Sequence, residues 1–331
     1  MRFSIRFNND MPVAAYPPLA RAAEDAGFDQ FWVSDDLFLR GVWPILSACA
    51  LATRRINLGT CIVNPYTMHP AEIAMQAAAL DELSGGRALL GIGAGAGDFL
   101  GWVGLPQPQP LATTAATLHA LRALFAGERG AAAHPAWSPE AYLRFSTRQV
   151  PLYLGAMSPK MQQLIGAAAD GGLPLLFPPE RYTDVAQQVA AGAAQAGRDL
   201  AEVDLAACIW VSVAEDRAAA ERVLRDKIAY YGYSLSDDIL GALGVARAEF
   251  VPIRHALQTL GDAETAAALV TDAMLRIGIV GTPAELLPRL RGLVAAGARH
   301  LSFGPPIGPD PLHAIELLGA HVLPVLRSST P

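Results

Sequence analysis

Apolar positions along this chain follow two alternating rhythms. Short runs of about four to eight residues, rich in Val, Ile, Leu and Phe, have the length and make-up of strands. Longer stretches of Ala and Leu, broken by charge every three or four positions, have the period of helices. Residues 3–7, 30–34, 56–63, 88–93, 151–155, 173–177, 203–213 and 300–304 are expected as strands. Helices are expected over 19–26, 44–52, from Pro70 to about Ser84, and over 111–125, 159–169, 181–196, 217–229, 283–295 and 312–326. Gly27 and Gly297 fall just past the end of a helix, and Pro44 and Pro70 fall in a first turn, the places each residue type favours. Residues 127–150 read as a long loop, and residues 230–275 as a helical insertion after the seventh strand.

A strand and a helix repeated eight times is the plan of a (β/α)8 TIM barrel, taken here as one domain over residues 1–331; the competing arrangement is an open doubly wound sheet. In a barrel, chemistry gathers where the strands end and the following loops begin. Hydrophobic residues make up 52% of the 331 and charged ones 17%, which excludes disorder and calls for a large core. Strands buried on both faces would absorb that apolar excess. The balance of 25 basic against 31 acidic residues, net −6, argues against a nucleic-acid partner. No run of about 18 apolar residues marks a membrane span, and the first residues alternate rather than form a signal-peptide core. Cys49, Cys61 and Cys208 are widely separated. Together these features predict a reduced, cytoplasmic chain with no membrane association.

The strand ends carry the specific signals. Asn64-Pro65-Tyr66-Thr67-Met68-His69-Pro70 follows the third strand, and Ser84-Gly85-Gly86-Arg87-Ala88 leads into the fourth. The series Gly91, Gly93, Gly95 and Gly97 then closes that strand with the wrong spacing for a dinucleotide fingerprint. Its missing Cβ atoms would let a flat ring approach the backbone, or it is simply a flexible loop. Gly155, Ala156, Met157 and Ser158 join the fifth strand to a helix start, where backbone N–H groups and the helix dipole can hold an anion. Asp35 and Asp36 end the second strand and, as neighbours, point to opposite faces. None of the seven histidines has metal-ligand spacing, and no metal site is expected.

These motifs resemble the luciferase-like flavin and deazaflavin oxidoreductases, above all the methylenetetrahydromethanopterin reductase branch, which uses coenzyme F420. The resemblance spans nearly the whole chain and includes Pro306-Ile307-Gly308-Pro309-Asp310. It implies a (β/α)8 barrel with the cofactor at the C-terminal mouth, FMN being the alternative to F420. It also implies a non-prolyl cis peptide beneath the ring, matching Cys61–Ile62, with Cys61 acting through its backbone rather than as a nucleophile. The cofactor would lie among Asp35, Thr60, Cys61, Ile62, Val63, Asn64, Gly93, Ala94, Gly95 and Ala96, with its phosphate at Gly155, Ala156, Met157 and Ser158.

The chain also departs from that branch. Arg6 stands in place of a strand-one carboxylate, Asp36 in place of a histidine, and Ala96 in place of a loop acid, with Asp98, two residues on, the candidate substitute. The cofactor frame is thereby kept while the acids of the pterin reaction are lost. The expected activity is reduction by reduced F420 of an activated C=C or C=N bond in a small-molecule or peptide substrate, such as a dehydroamino acid or imine. Asp35, Asp36 or Asp98 would supply the proton, and Arg6, Phe7, Trp43 and Trp102 would line the substrate side. An FMN-dependent monooxygenase and a catalytically silent deazaflavin-binding protein are the rival expectations. The resemblance further implies a homodimer.

Overall fold

A computed structural model describes residues 1–175 and 178–328. Nine strands are present among them: β1 (Arg2–Phe7), β2 (Gln30–Val33), β3 (Asn57–Thr60), β4 (Ala88–Ile92), β5 (Leu152–Leu154), β6 (Gly171–Gly172), β7 (Asp204–Val213), β8 (Ile279–Gly281) and β9 (His300–Ile307). They hydrogen-bond in the order β6-β5-β4-β3-β2-β1-β9-β7-β8, and β6 also pairs with β7. The ring of β1 to β7 and β9 therefore closes. This is the expected (β/α)8 barrel, parallel and surrounded by helices.

Most helices lie where the periodicity places them, including Pro70–Ser84, Pro110–Phe125, Pro159–Ala168, Arg217–Tyr231 and Pro283–Ala295. Residues 230–275 are helical in short pieces, among them Asp237–Leu243, Phe250–His255 and Ala263–Ala268. Three expectations need correction. The sixth strand is Gly171–Gly172 rather than 173–177, of which 176–177 lie outside the described residues. A glycine pair reads as a turn, but here it pairs with Tyr153 and Leu154 on one side and Asp204 and Leu205 on the other. Strand β8 went unanticipated; three residues beside Val211, Ser212 and Val213 are too few to show a period. The glycine-rich loop after β4 contains the helix Gly97–Trp102, also unanticipated.

The chain packs as two compact units, Ser4–Leu175 with Asp184–Ala206, and Met1–Phe3 with Leu176–Thr183 and Ala207–Pro331. In the first unit, side chains from non-adjacent strands meet inside the barrel. Trp32 Nε1 donates to Gln30 Oε1 at 3.0 Å, Gln30 Nε2 to the Tyr153 hydroxyl at 3.1 Å, and that hydroxyl to Asp204 Oδ2 at 2.6 Å. The Trp32 and Tyr153 rings meet edge to face, 4.9 Å between centroids. A Cβ on Gly59 or on Gly171 would lie 2.2 Å from one of these rings, so glycine there makes room for the aromatic floor. In the second unit, Arg289 pairs with Glu180 and Arg217 with Glu285. Among the described residues no helix is long and apolar enough to cross a membrane.

The Ser-Gly-Gly-Arg run is a structural bracket at the N-terminal end of β4. Gly85 and Gly86 have φ of 70° and 86°, ending the helix Pro70–Ser84 in left-handed backbone that favours glycine. The Arg87 guanidinium then donates to Ser84 O, Thr53 Oγ1, Thr53 O, Ile56 O and Ala50 O. Arg148, from the long loop, forks onto the buried Asp81 carboxylate.

Candidate active site

Strand β3 stops at Thr60, and the next peptide, Cys61–Ile62, is cis. Pairing with β4 resumes at Val63, whose N–H donates to Gly91 O at 3.0 Å and whose carbonyl accepts from Gly93 N at 3.1 Å. Cys61 and Ile62 are thus set out of the β3–β4 ladder at the C-terminal end of the barrel, where both are half-buried. Thr60 spans the gap: its hydroxyl accepts from Gly91 N at 3.0 Å and donates to Gly91 O at 2.8 Å.

The glycines after β4 receive this bulge. A Cβ on Gly91 would stand 2.0 Å from the Thr60 carbonyl oxygen, a contact no relaxation of side chains relieves. One on Gly93 or Gly155 would meet the Ile62 side chain, at 3.2 and 2.9 Å. At these positions the room that a side chain would need is taken by Thr60 and Ile62. Asn64 is buried, and its Oδ1 accepts from Tyr66 N and Thr67 N, shaping the Asn-Pro-Tyr-Thr turn.

On β2, Trp32 faces the interior, and its register partner on β1 is Arg6. Arg6 consequently faces inward as well and is buried. Phe7 does not line the mouth. It occupies the opposite face of β1 and packs on Phe31, 5.2 Å between ring centroids, in the core beneath the helices.

The loop after β2 is held by Asn9, which the sequence reading missed although it lies just past the end of β1. Its Nδ2 donates to Asp36 O and Arg40 O, and its Oδ1 accepts from Ser34 Oγ and Asp36 N. Asp35 is half-buried and accepts from Val42 N at 3.3 Å at the start of the helix Val42–Ala52. Burial, with the neighbouring Asp36 charge adding to it, pushes the Asp35 carboxyl above the usual carboxylate range. Trp43, in the first turn of that helix, is half-buried, and its Nε1 lies buried without a hydrogen-bond partner.

After β4, Ala94 and Gly95 are half-buried, while Ala96 and Asp98 are exposed at the start of the helix Gly97–Trp102. After β5, Gly155 and Ala156 are largely covered, and Met157 and Ser158 are exposed ahead of the ten-residue helix Pro159–Ala168. Ser158 caps that helix, its Oγ accepting from Met161 N at 3.4 Å. Trp102 is exposed and stacks on Phe99 at 4.6 Å.

The luciferase-like monooxygenase family model matches residues 7–300. The chain belongs to the luciferase-like monooxygenase family. Within this luciferase-like family it is 34% identical over 325 residues to a 5,10-methylenetetrahydromethanopterin reductase of Methanolobus tindarius, covering 98% of this chain and 100% of that one. It is 30% identical to an F420-dependent glucose-6-phosphate dehydrogenase of Beutenbergia cavernae, over 92% and 91% of the two chains. Among solved structures, the coenzyme F420 dependent tetrahydromethanopterin reductase of Methanopyrus kandleri superposes with a TM-score of 0.90. That likeness covers 98% of this chain and 99% of that one at 29% identity. The resemblance carried by the strand-end motifs is therefore borne out.

Proposed function

We propose that this protein is an F420-dependent oxidoreductase that reduces an activated C=C or C=N bond in a small molecule. The observation that carries this reading is the Cys61–Ile62 bulge at the barrel mouth of a chain alike over its full length to an F420-dependent reductase. When bound, the deazaflavin supplies the hydride.

The chain's residues fit such a group. Cys61 and Ile62, set out of the ladder and backed by Gly93 and Gly155, would support the ring. The positive end of the helix Pro159–Ala168 behind Met157 and Ser158 suits an anionic tail without a basic side chain. Asn64 keeps its Nδ2 for a polar edge, since only its Oδ1 is spent on the turn. Asp35 is the acid favoured here to deliver a proton beside the reduced carbon, because burial raises its carboxyl above the usual carboxylate range, whereas Asp98 is exposed to solvent. Arg6, Asp36 and Ala96, in place of the branch's acids and histidine, support a substrate other than the pterin.

Turnover tests this. Reduced F420 mixed with the protein and a cyclic enone or cyclic imine should be oxidised only when the acceptor is present, with saturation in acceptor. Binding without acceptor-dependent oxidation for either class would mark a silent cofactor-binding protein and end the proposal.

A further inference from the structure

Three aromatic rings stand at the mouth in positions that folding alone does not explain. Phe38, in the loop after β2, is 75% exposed, and Trp102, after β4, is 59% exposed. Their ring centroids lie 6.4 Å apart, and Phe99 stacks on Trp102. Strand β3 lies between β2 and β4, so the Phe38–Trp102 pair bridges the C-terminal end of the strand that carries Cys61–Ile62. Phe38 also has φ of 65°, a left-handed conformation that a bulky residue adopts only at a cost. A costly backbone that lifts a large apolar ring into water stabilises nothing in the chain by itself. Leu39, Val103 and Leu105, near these rings in the sequence, are also exposed.

We infer that Phe38, Phe99 and Trp102 form an aromatic clamp for a flat ring on the substrate, making the natural acceptor an aryl-substituted unsaturated compound. The inference rests on the redox reading above for the acceptor's reducible bond, but the clamp itself is a matter of binding. Phe38 sits two residues beyond Asp36, and Phe99 and Trp102 sit one and four residues beyond Asp98, next to the strand ends where the acceptor must lie. Offset or edge-to-face stacking on their open faces recognises a ring and gives little to an aliphatic chain.

Two enones with the same reducible group separate the cases: 4-phenyl-3-buten-2-one and 3-penten-2-one, each titrated into the protein by calorimetry. The aryl enone should bind at least about tenfold more tightly, and the double substitution Phe38→Ala, Trp102→Ala should bring the two within about twofold. Both positions are exposed, and a thermal melt checks that the variant folds; Phe38→Leu, Trp102→Leu, which retains apolar bulk without the rings, should lose the preference too. Equal binding by the wild type, or a preference that survives both variants, overturns the clamp. Self-association of the wild type that the double variant abolishes also overturns it, by assigning the rings to a second copy of the chain. A separate titration of wild type with F420 reads the cofactor proposal: an aryl preference without F420 binding keeps the clamp and removes the cofactor.

Discussion

Asp35 shows how one side chain can be both scaffold and chemistry. Its Oδ1 holds the first turn of the helix bearing Trp43, and its burial favours the neutral carboxyl. The stability linked to that raised pKa is fully present below the ordinary carboxyl range and is lost as the pH rises through the raised value. Asp35→Asn keeps the acceptor oxygen and cannot ionise. Its Tm should therefore gain on that of the wild type as the pH goes from about 4 to about 7, followed by thermal denaturation. A Tm difference that stays constant over that range contradicts the shift. At this scale the sequence was legible where parity decides. Asp35 stands out as a strand-end carboxylate, and Arg6 faces inward. Phe7, one step along the same strand, was misplaced because strand alternation says that two faces exist and not which one is inside. Only the cross-barrel meeting of Trp32 and Tyr153 settles that.

Among elements, the β3–β4 pair organises the mouth. The glycine series was visible in the sequence, but its role was not, because each glycine answers to an atom distant in sequence. Gly91 faces the Thr60 carbonyl and Gly93 the Ile62 side chain. These differ in what can yield. Gly91→Ala drives a methyl against fixed backbone and should destabilise by about 3 kcal/mol, whereas Gly93→Ala meets a side chain that can shift and should cost about 1 kcal/mol. Urea unfolding of the two variants measures both. Equal losses, or a larger one for Gly93→Ala, would mean that the bulge is not seated as described. The Ser-Gly-Gly-Arg run teaches the converse. It is a specific signal of resemblance, yet its Arg87 ties loops together beneath β4, on the far side of the strand from the mouth.

For the whole molecule, eight repeats of strand and helix were enough to read the barrel, since strands buried on both faces leave long apolar runs. What escaped were β6 and β8, two and three residues long, held by neighbours rather than by a pattern of their own. The apolar surplus of the composition is accounted for by that closed sheet and the Ala- and Leu-rich helices around it. The central claim is that the mouth so built accepts a deazaflavin. Fluorescence titration of the purified protein with F420 and, separately, with FMN tests it most directly. Saturable binding of F420, at least about tenfold tighter than that of FMN, is the predicted result. FMN that binds tightly or co-purifies while F420 does not bind would contradict it.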